Sequence, residues 1–293
     1  MTAAASMPAP GLFSDRRRTL LIGMAALALA PCAASANGET SGSALSVLRV
    51  VADGPQRSAA NRSRDAARHP VETLAFFGLR PDWKVVEIAP GGGWYTEILA
   101  PFLHRRGRLY AAHVPADGTP AEQRARAAFR QKLASDPASY GRVVLGTLPV
   151  ARFTDIHPSG GADAVLTFRN IHNWIADGHF DETLRAFFDV LKPGGVLGVE
   201  EHRAAPGTSL QRMIDSGYVT QDFVIARARA AGFEFTGASE INANPRDTRD
   251  HANGVWALPP TLRGGEVDRA RYVAIGESDR MTLRFIKPLS AGK

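Results

Sequence analysis

Short apolar runs alternate with longer stretches of helical periodicity along most of the chain after residue 80. Runs rich in Val, Leu and Ile indicate buried strands, whereas apolar residues spaced three and four apart over roughly ten to fifteen positions indicate helices. The predicted strands are 85–89, 107–112, 142–145, 163–168, 196–200, 233–236 and 281–286, and the predicted helices between them are 96–103, 120–135, 181–191 and 220–231. This alternation predicts a parallel sheet with helices on both faces.

The last two predicted strands break the alternation, because no convincing helix returns the chain between 233–236 and 281–286. The final strand is therefore predicted to run antiparallel. We predict one α/β domain over residues 81–293, built on a mainly parallel sheet of seven strands with an antiparallel last strand. A mostly helical N-terminal segment, 37–80, precedes this domain.

The stretch 239–280 is long for a connection inside a compact domain and has no strong periodicity. Long connections of this kind are usually functional or disordered, and the aromatic residues Trp256 and Tyr272 argue against disorder. We interpret the stretch as a lid-like insertion over a ligand pocket. The alternative is a packed excursion that covers an edge of the sheet.

The first 36 residues have the pattern of a signal peptide. Three arginines, Arg16 to Arg18, precede an uncharged apolar stretch from Leu20 to Ala30, and Ala34-Ser35-Ala36 follows as a cleavage pattern. The order Arg17-Arg18-x-Leu-Leu is also typical of twin-arginine signals. We therefore predict an exported protein, periplasmic or secreted. The alternative is a buried N-terminal helix.

Composition narrows the function classes further. The chain has 293 residues, of which 44% are hydrophobic and 22% charged, and these values exclude a disordered or fibrous protein. The single cysteine, Cys32, excludes a disulfide framework and a multi-cysteine zinc site. Removal of residues 1–36 leaves 32 basic and 28 acidic residues. This small excess of positive charge is not typical of a nucleic-acid-binding protein. No apolar run has the 18 or so residues of a membrane span. We expect a small-molecule partner.

A glycine-rich turn follows the first predicted strand. In open α/β sheets ligands bind beyond the carboxyl ends of the strands, and Glu87-Ile88-Ala89-Pro90 leads there into Gly91-Gly92-Gly93. Three glycines allow the backbone to approach a ligand closely, and the helix that follows offers free N–H groups. The alternative is a tight turn without a ligand.

This segment resembles the cofactor loop of class I S-adenosylmethionine-dependent methyltransferases, and Leu191-Lys-Pro-Gly-Gly-Val-Leu197 resembles the turn before their fifth strand. Three tracts together, 90–96 (PGGGWYT), 169–174 (RNIHNW) and 240–245 (EINANP), resemble a group of exported bacterial methyltransferases of unknown substrate. The resemblance covers about residues 64–288. It implies a Rossmann-like methyltransferase fold and S-adenosylmethionine as cofactor.

The resemblance also implies where that cofactor lies. Glu87 and the glycine backbone would hold its amino-acid end, and Arg169 and Asn170 would line its methyl-donor end. His113 ends the second strand, where these enzymes normally carry an acid that binds the ribose. The implied cofactor-binding residues are Glu87, Ala89, Pro90, Gly91, Gly92, Gly93, Tyr95, His113, Arg169 and Asn170. The ring faces of Trp94, Tyr95 or Tyr218 are candidates for stabilising a sulfonium cation.

A second polar group follows the fourth and fifth strands and provides the candidate catalytic residues His172, Glu201 and His202. Those strands are expected to be neighbours, so a histidine–carboxylate pair would form a general base. The alternative is a surface ion pair between Glu201 and Arg203. Two histidines and a carboxylate also meet the minimum for a metal site, but their spacing does not support one, and no metal is predicted.

Three functions remain open from the sequence. The first is methyl transfer from S-adenosylmethionine to a small molecule. The second is an exported small-ligand-binding protein on the same scaffold without turnover, which the missing ribose acid and the cytosolic origin of the methyl donor favour. The third is a nicotinamide-dependent oxidoreductase, because Gly91-x-Gly93-x-x-Thr96 approximates the dinucleotide fingerprint but lacks its third glycine. Oligomeric state is not indicated.

Overall fold

The fold is built on one seven-stranded sheet. The computed structural model describes residues 35–149 and 151–289, so residues 1–34 of the predicted signal peptide lie outside the described part. The strand order is β3-β2-β1-β4-β5-β7-β6. The strands are β1 (Lys84–Ile88), β2 (Arg108–His113), β3 (Val144–Thr147), β4 (Ala162–Phe168), β5 (Leu191–His202), β6 (Glu234–Ser239) and β7 (Arg280–Ile286).

The direction of the strands is the predicted one. β1 pairs in parallel with both β2 and β4, and β4 pairs in parallel with β5. β7 lies between β5 and β6 and is antiparallel to both. The order reverses at β1, so the carboxyl ends of β1 and β4 flank the crevice where ligands bind in sheets of this type. The prediction of a mainly parallel sheet with an antiparallel last strand is confirmed.

Helices connect the strands and cover the sheet. Helix α5 has the predicted bounds, and Thr119 and Glu122 form a capping box at the start of α6. The helices in the described part are α1 (Ser35–Ala52), α2 (Ala59–Arg62), α3 (Asp65–Arg68), α4 (Pro70–Phe76), α5 (Thr96–Leu103), α6 (Pro120–Ser135), α7 (Pro137–Tyr140), α8 (Ile171–Ala176), α9 (Phe180–Val190), α10 (Leu210–Ser216), α11 (Gln221–Ala230) and α12 (Arg269–Ile275), with a 3-10 helix at Gly254–Ala257. None of the helices in residues 35–149 and 151–289 has the length and apolar character to cross a membrane.

The two faces of the sheet bury two separate cores. Val86 and Ile88 of β1 belong to a core shared with α8 to α11, and Val85 belongs to a core shared with α1, α4 and α5. This alternation follows from the period of two along a strand. The N-terminal helices approach the sheet closely, because a Cβ added to Gly198 would lie 2.8 Å from the Phe77 ring. The segment before β1 therefore packs as one layer of the domain and brings α3 to the site.

The stretch 239–280 is packed onto the domain by buried polar contacts. Asp247 accepts hydrogen bonds from the Tyr218 hydroxyl at 2.9 Å, from His251 Nε2 at 2.9 Å and from the Asp279 amide at 2.8 Å. Asn242 donates from Nδ2 to the hydroxyl of Thr282. These buried partners hold the insertion against the carboxyl-end edge of the sheet.

Candidate functional site

The glycine bend lies at the end of β1 and is open on one side. Gly91 and Gly93 have positive φ values of 56° and 84°, which L side chains rarely adopt. A Cβ added to Gly91 or Gly92 would meet no atom within 4 Å, whereas at Gly93 it would lie 3.0 Å from Lys132 Cε. The Gly91 and Gly92 amides donate to no described residue, as expected for a backbone that receives a ligand.

A cavity of about 220 Å³ borders this open side and is lined by Gly91, Gly92, Ala125, Ala128 and Phe129. Helix α6 therefore forms the wall opposite the bend. The volume of the cavity is below the roughly 300 Å³ at the low end of pockets for drug-sized ligands.

Glu87 is buried beneath the bend with 1% of its surface exposed. Its Oε2 accepts a hydrogen bond of 2.6 Å from the Thr96 hydroxyl at the start of α5. Burial raises the pKa of Glu87 to about 7, against the smaller opposing effects of Thr96 and of the Lys132 charge. A cation brought next to this carboxyl would favour its ionised form.

His113 takes the position at the end of β2 where the resemblance expects an acid. Its Nε2 lies 3.2 Å from the Gly91 carbonyl oxygen, and its Nδ1 accepts a hydrogen bond of 2.9 Å from the Val114 amide. Its ring packs on Phe129 of α6, with centroids 4.9 Å apart. Burial lowers its pKa, so the ring is neutral at neutral pH. The side chain thus braces the bend against α6.

The aromatic residues after the bend have other partners. Trp94 lies under the guanidinium groups of Arg57 and Arg68, at 5.0 and 4.8 Å from its ring centroid. Tyr95 stacks on Phe168 at 3.5 Å. Tyr218 is 1% exposed and donates its hydroxyl proton to Asp247. Tyr218 lines neither cavity, but its ring lies beside that of His202, with centroids 6.3 Å apart. That one of these rings faces a sulfonium stays a prediction.

Arg169 and Asn170 follow β4 and join neighbouring strands. Arg169 Nη1 donates to Glu200 Oε1 at 2.8 Å, and the Tyr95 hydroxyl donates to the other oxygen of Glu200 at 2.9 Å. Asn170 Nδ2 lies 3.2 Å from the Ile88 carbonyl oxygen of β1 and 3.2 Å from the Thr167 hydroxyl of β4. The Asn170 side chain therefore spans the crevice between the two central strands.

His172, Glu201 and His202 lie together, as their positions after β4 and at the end of β5 predict. His172 Nδ1 is 3.0 Å from Glu201 Oε1, so Nδ1 carries the proton and Nε2 is left as the basic nitrogen. The same carboxylate accepts from the amides of Ile171 and His202 at 2.6 and 2.8 Å. These contacts fix the orientation of the His172 ring.

The alternative in which Glu201 forms a surface ion pair with Arg203 is wrong. Glu201 is fully buried, and Arg203 pairs with Asp279 at 2.9 Å and with Glu240 at 2.7 Å. Arg203 lies just beyond the end of β5, where Asp279 and Glu240 hold its guanidinium group.

His202 is the second imidazole of the group. Its Nδ1 is 2.6 Å from the Ser278 hydroxyl, and its ring centroid is 5.3 Å from that of His172. Burial, with smaller effects of His172 and of nearby arginines, lowers its pKa well below the usual range. One ligand atom from each of His172, Glu201 and His202 lies within 4.8 Å of the others. Glu201, however, already uses both oxygens in hydrogen bonds.

A second cavity of about 220 Å³ opens beside these histidines, here called the histidine cavity. Seven of its eleven lining residues come from the insertion 239–280, which thus forms its roof. The lining residues are Arg68, Arg169, His172, His202, Val255, Trp256, Pro259, Pro260, Thr261, Glu277 and Ser278.

The structure therefore divides the predicted site residues between two places. Pro90, Gly91, Gly92, Gly93 and His113 surround or support the bend, together with Ala89, whose φ is 46°. Arg169, His172 and His202 line the histidine cavity, with Glu201 behind them. The two cavities have no lining residue in common. Tyr95 and Glu87 are buried and line neither cavity.

Sequence reasoning did not assign a site role to Arg68, Glu277, Ser278 or Trp256. Arg68 ends α3, and α4 separates it from the first strand. Glu277, Ser278 and Trp256 belong to the insertion. Only the tertiary fold brings these four residues together. The pairing of β5 with β7 is the feature that could have revealed them. It places His202 opposite Arg280, only two to three residues after Glu277 and Ser278 along the chain.

No protein-family model matches the sequence, and no curated protein matches it either. Among solved structures, the chain is similar to a SAM-dependent methyltransferase from Aquifex aeolicus, with a TM-score of 0.51 and 15% identity over 83% of this chain and 98% of that one. It is also similar to the 4+2 cyclase SpnF, with a TM-score of 0.55 and 18% identity over 87% of this chain and 97% of that one. At these identities the likeness establishes the Rossmann-like methyltransferase fold.

Glu87→Gln tests whether the acid beneath the bend is held in an unfavourable environment. Because the folded pKa is raised to about 7, the wild type loses stability as pH rises from the ordinary range of a carboxyl through 7. We expect the variant to equal the wild type near pH 4 and to exceed it at pH 8, by about 1–3 kcal/mol. Denaturant unfolding at both pH values measures this. Glu72→Gln, at an exposed position, is the control, and an equal difference for Glu87→Gln at both pH values would contradict the interpretation.

Proposed function

We propose that the protein transfers a methyl group from S-adenosylmethionine to a small-molecule acceptor held in the histidine cavity. The observation that carries this proposal is the His172–Glu201 pair, whose basic Nε2 belongs to a ring lining a roofed cavity at the end of β4. An open glycine bend lies at the end of the adjacent strand β1, on a sheet with the strand order of methyltransferases.

The backbone at the bend is suited to bind S-adenosylmethionine. The amides of Gly91 and Gly92 have no acceptor in the described part of the chain, and a Cβ added to either glycine would meet no atom within 4 Å. Asn170 contacts the Ile88 carbonyl oxygen at the end of β1. Glu87 would hold the ammonium group of the amino-acid end, because a neighbouring cation relieves the cost of ionising a buried carboxyl. His113 stands in place of the bidentate carboxylate, and it would have to release its contact with Gly91 or Val114 to bond a ribose.

The chemistry that the cofactor supplies when bound is an electrophilic methyl group on a sulfonium sulfur. The protein's contribution is to align the acceptor and to remove its proton. His172 Nε2 accepts that proton from a hydroxyl, an amine or an acidic carbon. Glu201 holds the Nδ1 proton and stabilises the imidazolium that forms. Trp256 and its neighbours from the insertion line the cavity beside His172.

The second candidate is a small-ligand-binding protein on the same scaffold without turnover. It is favoured by His113 at the usual position of the ribose acid and by the limited volume beside the bend. SpnF, a cyclase by name, has a similar fold, so the fold alone does not decide the function.

We further propose that the protein is exported to the periplasm or secreted, with residues 1–36 as the signal. The support is the sequence pattern alone: three arginines, an apolar stretch and Ala34-Ser35-Ala36. A twin-arginine signal would carry a folded chain, and a bound cofactor with it.

Gly92→Val tests cofactor binding at the bend. Gly92 has an ordinary backbone conformation and open space around its Cβ position, so valine should fold but should block a ligand from the backbone. We expect calorimetry of the wild type to detect S-adenosylmethionine and its demethylated product, and the variant to bind both at least about tenfold more weakly. Gly42→Val, also in open space, is the control. Binding of NAD alone would refute the cofactor assignment.

His172→Gln tests the base. We expect methyl transfer to fall by roughly 10²- to 10⁴-fold while binding of S-adenosylmethionine is retained, because the ring removes a proton and does not contact the bend. A panel of small hydroxyl and amine acceptors with radiolabelled donor gives the rate. His157→Gln, at an exposed position, should retain full activity. Ligand binding without turnover on any acceptor in the wild type would favour the second candidate.

Export is tested by fusing residues 1–36 to a reporter that is active only when exported folded. We expect an active reporter, and replacement of Arg17 and Arg18 by lysines should abolish export if the twin-arginine route is used. A reporter retained in the cytosol by the unaltered fusion would contradict the proposal.

A further inference from the structure

Two arginines offer unpaired hydrogen-bond donors to the histidine cavity. Arg68 is 4% exposed, and its Nε donates to Glu277 Oε2 at 3.0 Å. No described residue accepts a hydrogen bond from its two terminal nitrogens. Arg169 uses Nη1 for Glu200, and its Nε and Nη2 likewise have no acceptor in the described part of the chain. A guanidinium group presents five N–H donors in a planar fork, so both residues retain donors for a ligand.

The charges around this cavity leave an excess of positive charge. Four guanidinium groups, of Arg64, Arg68, Arg169 and Arg280, contact the carboxylates Glu200 and Glu277. Glu201 is the third buried carboxylate nearby, and its oxygens accept from His172 and from backbone amides. One positive charge is therefore uncompensated. Burial and, to a smaller extent, the neighbouring Arg169 charge lower the pKa of Arg68 to about 10, against the opposing effects of Glu277 and Glu200.

The remaining walls of the cavity differ in character from this polar end. Val255, Pro259 and Pro260 are apolar, and the Trp256 ring meets the His172 ring at 72° with centroids 6.1 Å apart. The roof thus suits an apolar or aromatic ligand body. The polar end suits a planar anion, because a carboxylate accepts two parallel hydrogen bonds from a guanidinium group.

We propose that the histidine cavity binds a small carboxylic acid with an apolar body, whose carboxylate is held by Arg68 and Arg169. This inference rests on the proposed function and names the class of its acceptor. The carboxylate lies at the arginine end, and a hydroxyl or amine elsewhere on the same molecule lies within reach of His172. The carboxylate itself is not methylated, since it is occupied by the two guanidinium groups.

Calorimetry with 4-hydroxybenzoate as the probe tests the proposal, with methyl 4-hydroxybenzoate as its neutral counterpart. We expect the wild type to bind the acid at least about tenfold more tightly than the ester. Arg68→Gln should remove this preference by a similar factor, and Arg68→Lys should restore it only in part, because an ammonium group cannot form the bidentate contact. Inorganic phosphate should bind more weakly than the acid, since it lacks the apolar body.

Arg64→Gln is the matched control, because Arg64 also pairs with Glu277, at 2.8 Å, but does not line the cavity. It should retain the preference for the acid. Equal binding of acid and ester by the wild type would overturn the proposal, as would an Arg68→Gln variant that is folded by circular dichroism and keeps the preference. S-adenosylmethionine binding is measured on the same samples. If the wild type binds the acid but does not bind S-adenosylmethionine, the methyl-transfer proposal is contradicted and the proposed carboxylate site still stands.

Discussion

The buried carboxylate of Glu200 is the interaction on which the arrangement of the site depends. It has no exposed surface and contacts Tyr95 at the start of α5, Arg169 after β4 and Arg280 at the start of β7. An isolated buried carboxylate costs several kcal/mol, so these three partners must remain in place for β5 to end where it does. Arg280 extends the network to Glu277, and Glu277 extends it to Arg68 on α3. One charge in the sheet thus positions the bend, the insertion and the N-terminal helices together.

The same network affects the protonation of His202. Arg169, Arg280 and Arg68 add to the effects of burial and of His172 in lowering the pKa of His202, so that ring is neutral at neutral pH. The two adjacent imidazoles have different partners: His172 Nδ1 bonds to Glu201, and His202 Nδ1 bonds to Ser278. Their surroundings therefore differ although both line the same cavity.

The sequence predicts the parts of this protein that local patterns determine. Strands such as 163–168 and the helix 96–103 lie within about one residue of their observed bounds, because a buried strand and an amphipathic helix leave periodic signals. The short helices α8 and α12 leave no such signal. The His172–Glu201 pair follows from strand order alone, since the carboxyl ends of neighbouring parallel strands meet. The position of Arg68 in the cavity cannot be predicted in this way, because it depends on the packing of α3 against the insertion 239–280.

Asn170 lies where the two halves of the site meet. Its amide touches the Ile88 carbonyl oxygen of β1 and the Thr167 hydroxyl of β4, between the bend and the residues that line the histidine cavity. A ligand reaching from Gly91 to His172 must pass this side chain. Its contacts at 3.2 Å are at the long end for hydrogen bonds, so exchanging them for a ligand's polar groups costs little. On the other side, Phe129 of α6 and His113 limit the space at the bend. Helix α6 therefore forms one wall of the space at the bend, while the Glu200 network positions Arg169, Glu277 and Arg68 around the histidine cavity.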